Sequence, residues 1–376
     1  PSSCLCSTIH FFSKIIYIPA DKKIPQPYWL AKKMEEGYYN VTDQQSIGQP
    51  DVDPAFYANV TIKISGELFA FTRPVRYKFT DPVRGELYQP VTVLPPALIS
   101  PDSKIKISND NNTFSGVLNI TGKKKGFSTF LNDVGREQLD NVKVQYSPDK
   151  LVFDEKNKTI PVLYSVTANR DNDYYFAMDA DNGMKDVLHV GMKEVKYDHI
   201  PYISYFTMAT VANKKLDLKT YNKKIGYIVG AGDKVPEALE QMGYEVTLLT
   251  SKELSKNGLD KYDAIITGVR TYNTHDWMNN HYDKLMKYVS EGGNLIVQYN
   301  TSNQIGPVRA KIGPYNFDIT RNRVTDENAK VTLLKPEHPV FNFPNKITDE
   351  DFKGWIQERS IYHASDTSGK YEKLIG

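Results

Sequence analysis

The hydrophobic period of this 376-residue chain changes once, across the lysine-rich stretch "NKKLDLKTYNKK" (213–224). Before it, apolar residues recur at every second position. "NVTIKISGELFAFT" (59–72) alternates Val60, Ile62 and Ile64 with Thr61, Lys63 and Ser65, takes Gly66-Glu67 as a two-residue turn, and returns as a second apolar strand. "KIKIS" (104–108), "GVLNIT" (116–121), "VKVQYS" (142–147), "IPVLYSVTA" (160–168), "DYYFAM" (173–178) and "VLHVG" (187–191) follow, divided by turn clusters such as "NDNNT" and "ANRDND". After the stretch, wholly apolar runs alternate with helical patterns. "IGYIVGAG" reads as a strand. "DKVPEALEQMG" reads as a helix, with Asp233 as N-cap, Leu239 and Met242 on one face and Gly243 at its end. "YEVTLLT", "KYDAIITG" and "NLIVQYN" are strands, and "HDWMNNHYDKLMKYVSEGG" is a helix with Trp277, His281, Leu285 and Val289 four apart.

Short strands at such spacing predict β-sandwiches of immunoglobulin-like type, one over residues 1–90, incomplete, and a second over 91–212. Strand–helix alternation over 223–376 predicts a doubly wound parallel sheet, flavodoxin-like or class I glutamine-amidotransferase-like, also incomplete. The fold class expected is therefore multidomain β plus α/β. The N-terminal "SKIIYIPAD" reads as a strand. "FTRPVRYKFTDPVRGELYQP" (71–90) reads as a joint: last strand of the first sandwich, a turn at "DPVRG", first strand of the second. Its Arg73, Arg76 and Arg84 are expected to pair with Asp81, Glu86 or backbone carbonyls.

Composition narrows the function. A net charge of +2 and a pI near 8.3 give no nucleic-acid footprint. Aromatics are 12% of residues and Tyr alone numbers 25, which suits sheet faces first and sugar-contacting surfaces second. The two cysteines, Cys4 and Cys6, leave the body of the chain without a thiol nucleophile or a zinc clip. No apolar run approaches membrane-spanning length.

In a doubly wound sheet, ligands bind beyond the carboxyl ends of the strands. Those ends read "GAGD" (230–233), "GVRTYN" (268–273) and "QYNTSN" (298–303), so Arg270, Tyr272, Asn273, Gln298, Tyr299 and Asn300 converge on one rim. The set suits a polar ligand such as a sugar, or else ties the crossover loops together. "GAGD" lacks the third glycine of a dinucleotide loop, with Val235 and Pro236 in its place, and reads as a tight turn. There is no G-x-S-x-G elbow and no H-E-x-x-H spacing around His275 and His281. "DADNG" (179–183), with Asp179 and Asp181, departs from a calcium loop in its glycine position and final acid. "PEHPVFNFPNKITDEDFKGWIQERS" (336–360) gathers His338, Asp351, Trp355, Glu358 and Arg359 in a proline-broken stretch that reads either as a lid over the site, adding His338, Glu358 and Arg359 to it, or as a salt network.

Several long blocks, among them "FSKIIYIPADKKIPQPYWL", "FTRPVRYKFTDPVRGELYQP", "IGYIVGAGDKVPEALEQMGYEVTLL", "GPYNFDITRNRVTDENA" and "HPVFNFPNKITDEDFKGWIQERSIY", resemble the C-terminal half of large bacterial PIG-L family (LmbE-like) deacetylases. The resemblance covers almost the whole chain from about Phe12. It implies β-sandwich modules and an amidotransferase-like domain akin to trehalose-utilisation proteins, attached to a zinc domain that deacetylates an N-acetylated amino sugar. The His-Pro-Asp-Asp zinc run of that domain is absent, "EHPV" having no acids after its proline. The expectation is thus an accessory region, incomplete at both ends, without catalytic residues, metal or cofactor of its own. Its expected partners are a glycan and the deacetylase domain of the same protein, and its expected location is periplasmic or secreted. Two other readings stand beside it. In one the α/β domain is a sugar-acting hydrolase or isomerase using His338, Asp351 and Glu358 as acid–base groups. In the other the chain is a protein-interaction scaffold.

Overall fold

The computed structural model describes residues 13–19, 22, 24–49, 52–108, 113–134, 142–167, 172–178, 190–221, 223–256, 258–305, 308–354, 360–365 and 368–376. The chain divides into two compact units, Pro1–Lys215 and Leu216–Gly376. The boundary falls inside the lysine-rich stretch where the hydrophobic period changes.

The first unit opens without a sandwich. Residues 13–19 carry no strand pairing and leave Ile15, Ile16, Tyr17 and Ile18 exposed. β1 (Tyr57–Ile64) and β2 (Glu67–Pro74) then form one antiparallel ribbon, and β3 (Arg76–Asp81) and β4 (Gly85–Pro90) another. The β1–β2 register pairs Ile64 with Glu67, so the turn residues are Ser65 and Gly66, one position earlier than the sequence suggested. Both have positive φ, 50° and 93°, the backbone that matches strand twist in a two-residue loop.

Residues 71–90 do not split between two domains. β3 and β4 pair along their full length, Arg76 with Pro90 through Asp81 with Gly85. Pairing between near neighbours wins because so short a loop costs little closure entropy. Asp81 Oδ1 accepts from the N–H groups of Val83 and Arg84, fixing the "DPVRG" turn. Arg84 reaches Asp198 (2.9 Å) as well as Asp81, while Glu86 is taken by Lys78 and Tyr88.

Beyond Pro90 two sheets face each other. Their strands are β5 (Ala97–Pro101), β6 (Ile105–Ser108), β7 (Thr113–Gly122), β8 (Phe127–Val134), β9 (Lys143–Ser147), β10 (Lys150–Phe153), β11 (Thr159–Thr167), β12 (Asn172–Met178), β13 (Val190–Val195) and β14 (Ile203–Lys215). One sheet has the order β5-β7-β11-β9; the other runs β10-β8-β12-β14-β13, with β6 parallel to the end of β14. Period-two burial is explicit in β11, where Val162, Tyr164 and Val166 are buried and Leu163 is 62% exposed. Ile99, Leu118, Ile120 and Val162 from the first sheet meet Leu131, Leu151, Phe153 and Val211 from the second in one core.

The second unit begins with the parallel sheet the sequence implied. β15 (Lys224–Ile228), β16 (Glu245–Leu248), β17 (Ala264–Thr267) and β18 (Asn294–Val297) lie in the order β16-β15-β17-β18, all parallel. α1 (Val235–Gln241) covers one face, where Leu239 packs with Ile225, Tyr227 and Ile266. α2 (Ser251–Lys256), α3 (Thr271–Thr274) and α4 (Tyr282–Ser290) lie on the other, packing Leu254, Tyr272 and Leu285 against Ile228 and Ile265. Asp233 sits one residue before the α1 N-cap, yet its Oδ1 accepts from the Val235 N–H. Gly243 closes α1 with φ 89° as the αL residue. The long helix expected over "HDWMNNHYDKLMKYVSEGG" is divided: 276–281 is a 3₁₀ turn and α4 starts at Tyr282. Among the described residues after β18, strands pair as two-residue ladders and one isolated bridge, beside two short 3₁₀ turns, but Ala310, Ile312, Phe317 and Ile319 still pack onto the α4 side. No helix among the described residues is long and apolar enough to cross a membrane.

Candidate functional site

Because the four strands are parallel, their carboxyl ends share one rim. The order β16-β15-β17-β18 makes the loops after β15 and β17 diverge to opposite faces, which opens a crevice between them. Gly230 is required there: a Cβ at this position would lie 2.1 Å from the Val269 carbonyl oxygen. Ala231 N–H donates to that carbonyl at 2.7 Å.

Asp233 is the hub of the rim. Its Oδ1 accepts from the Tyr227 hydroxyl (2.6 Å) and the Val235 N–H (3.0 Å), and its Oδ2 from the Val269 N–H (3.2 Å). Gln298 Nε2 in turn donates to the Tyr227 oxygen at 2.8 Å, so β15, β17 and β18 are tied through one phenol and one carboxylate. Partial burial raises the Asp233 carboxyl, but the Tyr227 hydroxyl and two N–H donors outweigh it and hold the group below the usual carboxylate value. Burial, then the hydrogen bond and charge of Asp233, push Tyr227 far above the ordinary phenol value, so it stays a neutral phenol that donates to Asp233 and accepts from Gln298.

The other rim residues divide into ties and free groups. Tyr272 is a core residue: it is 1% exposed and its hydroxyl has no hydrogen-bond partner among the described residues. Asn300 is buried, with Oδ1 accepting from the Tyr272 N–H and Nδ2 donating to the Gln298 carbonyl. Asn273 bridges to the carbonyls of Ser302 and Gln304 and accepts from the Thr301 N–H. These three hold crossover loops together. Arg270 differs. It stands at the β17–α3 turn with φ 58°, its N–H donating to the Tyr299 carbonyl at 2.9 Å, while its side chain is exposed. Left-handed backbone at a residue with a Cβ is uncommon and concentrates at functional turns.

Gln298, Tyr299 and Asn300 also border a cavity of about 300 Å³ between β18, α4 and the segments around 312–319 and 362–371. Its walls are Met286, Leu295, Val297, Ile312 and Phe317, with Tyr362 and Tyr371 closing it. The Tyr299 and Tyr362 rings lie 6.3 Å apart and within 4° of parallel. Tyr362 carries the signal that sequence reading missed: a left-handed φ of 69° is invisible in the sequence itself.

The segment after 336 is used locally. His338 Nδ1 accepts from the Val340 N–H and its Nε2 lies 3.5 Å from Glu372. Asp351 closes a capping box with Thr348. Neither lines the cavity beside β18. Glu358, Arg359, Trp355 and the "DADNG" segment lie outside the described residues. Among the described residues, no three or more His, Cys, Asp or Glu side chains gather as a metal-binding group.

His281, set aside for its spacing, is 8% exposed, with Nε2 3.0 Å from Ser251 Oγ and the Trp277 ring edge-on to it. This contact joins the start of α2 to the start of α4. His275 Nε2 donates to the Val229 carbonyl at 2.7 Å, since a carbonyl can only accept. Against known proteins, no family model matches the chain and no curated protein matches it.

Proposed function

We propose that this chain is a non-catalytic accessory region of a PIG-L-type N-acetyl-sugar deacetylase, of periplasmic or secreted location, whose α/β unit holds a glycan at the strand-end rim. The immunoglobulin-like and amidotransferase-like identities of its β and α/β parts belong to the same reading and rest on the sequence resemblance. The observation that carries the binding role is the rim itself. Tyr227, Asp233 and Asn300 are committed to holding the loops, and this leaves Arg270 exposed at the β17–α3 turn and Tyr299 exposed at the edge of an apolar cavity. Pockets of mainly apolar lining with a few convergent polar groups are the usual form of small-ligand sites. Against the hydrolase reading, His338 and Asp351 are engaged in local turns and border no part of that cavity. Calorimetric titration of the purified chain with amino-sugar and neutral oligosaccharides tests the role. Heat of binding that Arg270→Ala or Tyr299→Ala abolishes supports it, and no binding to any glycan removes it.

A second reading has its own observation. The β1–β2 ribbon turns Val60, Ile62, Phe69 and Phe71 to one face, each between 41% and 45% exposed. A contiguous apolar face favours a protein contact, here with the deacetylase domain. Co-elution of the chain with the separately produced deacetylase domain, lost on Phe69→Ser with Phe71→Ser, is the expected result.

A further inference from the structure

The cavity beside β18 is selective in a way that the rim is not. Among its lining residues there is no Asp, Glu, Lys, Arg or His. A charged group entering it would shed water and meet no counter-charge, so an unpaired ion is disfavoured there. A neutral ligand pays no such penalty. The cavity, about 300 Å³, is at the lower end of ligand-pocket size, where about one ring fits.

The tyrosine pair gives the ring its orientation. Tyr299 is 51% exposed and Tyr362 half-buried, and their parallel faces stand at the cavity edge. An aromatic face is electron-rich and attracts the slightly positive C–H groups of a sugar ring. Among the described residues neither hydroxyl makes a hydrogen bond, whereas the Tyr371 hydroxyl is engaged with the backbone of Tyr315. Tyr362 is held in left-handed backbone, a conformation that residues with a Cβ rarely adopt. Strain of this kind persists where the surroundings impose it, and ligand clamps are one such place. Gln298, fixed through its Nε2 to Tyr227, adds an amide at the same edge.

We infer that the cavity takes an uncharged pyranose ring, stacked at the Tyr299–Tyr362 pair, and rejects the acidic and amino forms of the same sugar. This rests on the glycan-binding role proposed above and names the ligand class. The full chain is titrated at about pH 5.5, where glucosamine is cationic and glucuronic acid anionic, with oligomers of glucose, N-acetylglucosamine, glucosamine and glucuronic acid, and with phenol as an aryl probe. The two neutral sugars are expected to bind at least tenfold more tightly than the two charged ones. Tyr299→Ala and Tyr362→Ala should each weaken neutral-sugar binding tenfold or more, while Tyr299→Phe and Tyr362→Phe, which keep the ring face, weaken it less. A thermal melt of each variant separates lost binding from lost folding. Equal binding of charged sugars, or binding indifferent to both Ala variants, overturns this inference and leaves the broader glycan role standing. Phenol binding more tightly than every sugar overturns the sugar assignment, and no binding of any probe removes both.

Discussion

At the residue scale, the rim separates groups that hold the fold from groups free to meet a ligand. Asp233 is the first kind. Asp233→Ala removes three acceptor contacts and leaves the buried Tyr227 hydroxyl without its carboxylate. Hydrogen bonds to a charged group contribute about 1.5–3 kcal/mol, and partial exposure places this one near about 2 kcal/mol, readable as a lower urea midpoint. Tyr272 gives the opposite test. Its buried hydroxyl has no partner, so Tyr272→Phe should leave stability unchanged or raise it by up to about 1 kcal/mol, with glycan binding unaltered. A binding loss in that variant would return Tyr272 to the ligand set. His281 carries the pH dependence. Burial, then the nearby Lys284 charge, hold its pKa below the ordinary value of 6.5, so the folded unit keeps it neutral. The unfolded chain takes up the proton near pH 6.5, binding more protons than the fold below that value. The stabilisation is therefore complete above about pH 6.5 and is lost as pH falls through the His281 range. Urea midpoints of the wild type at pH 7.5 and 5.5 should differ more than those of His281→Gln; equal differences would refute the assignment.

At the element scale, what was legible depended on whether the pattern was local. The parallel strands were readable because each is a short apolar run bounded by glycine or polar residues, and α1 because Gly243 marks its end. α2 was missed although Thr250 and Glu253 form reciprocal side-chain contacts to backbone, a three-residue spacing that announces a helix start. The division at Tyr282 was not legible, since the four-residue spacing of Trp277, His281, Leu285 and Val289 suits a continuous helix and the 3₁₀ turn follows from tertiary packing. The candidate site was legible only in outline. Strand-end position found Gln298 and Tyr299, but which side chains turn inward, as Tyr272 does, depends on contacts made by residues thirty positions away. Turn geometry yields a prediction here. Ser65 and Gly66 both need positive φ, and Asn accepts it more readily than Ser. Ser65→Asn should raise amide-exchange protection across β1 and β2 severalfold, and leave protection in the α/β unit unchanged.

At the scale of the whole molecule, a change of hydrophobic period has become a division of cores. Among the described residues, the sandwich core draws on residues between Ala97 and Val211, and the α/β cores on residues between Ile225 and Ile319. Among the described residues of 13–90 almost nothing is buried, Pro27 and Ala55 being the rare cases, so the predicted first sandwich has its strands but not its interior. The reason is visible in the ribbons: each pairs with its own neighbour, and two strands alone offer one apolar face with nothing on it. Cores with no member in common can melt separately. Leu118 and Leu285 are both 0% exposed, one in each unit, and replacing either by Ala removes transfer energy and opens a cavity, about 2–5 kcal/mol. In a calorimetric scan Leu118→Ala should lower one transition by about 5–15 °C and leave the other in place, and Leu285→Ala should do the reverse. Because the rim and the tyrosine cavity belong to the unit that Leu118→Ala leaves intact, that variant should still bind glycan at temperatures where its sandwich has unfolded. A single transition that both substitutions lower would mean that the two cores fold as one.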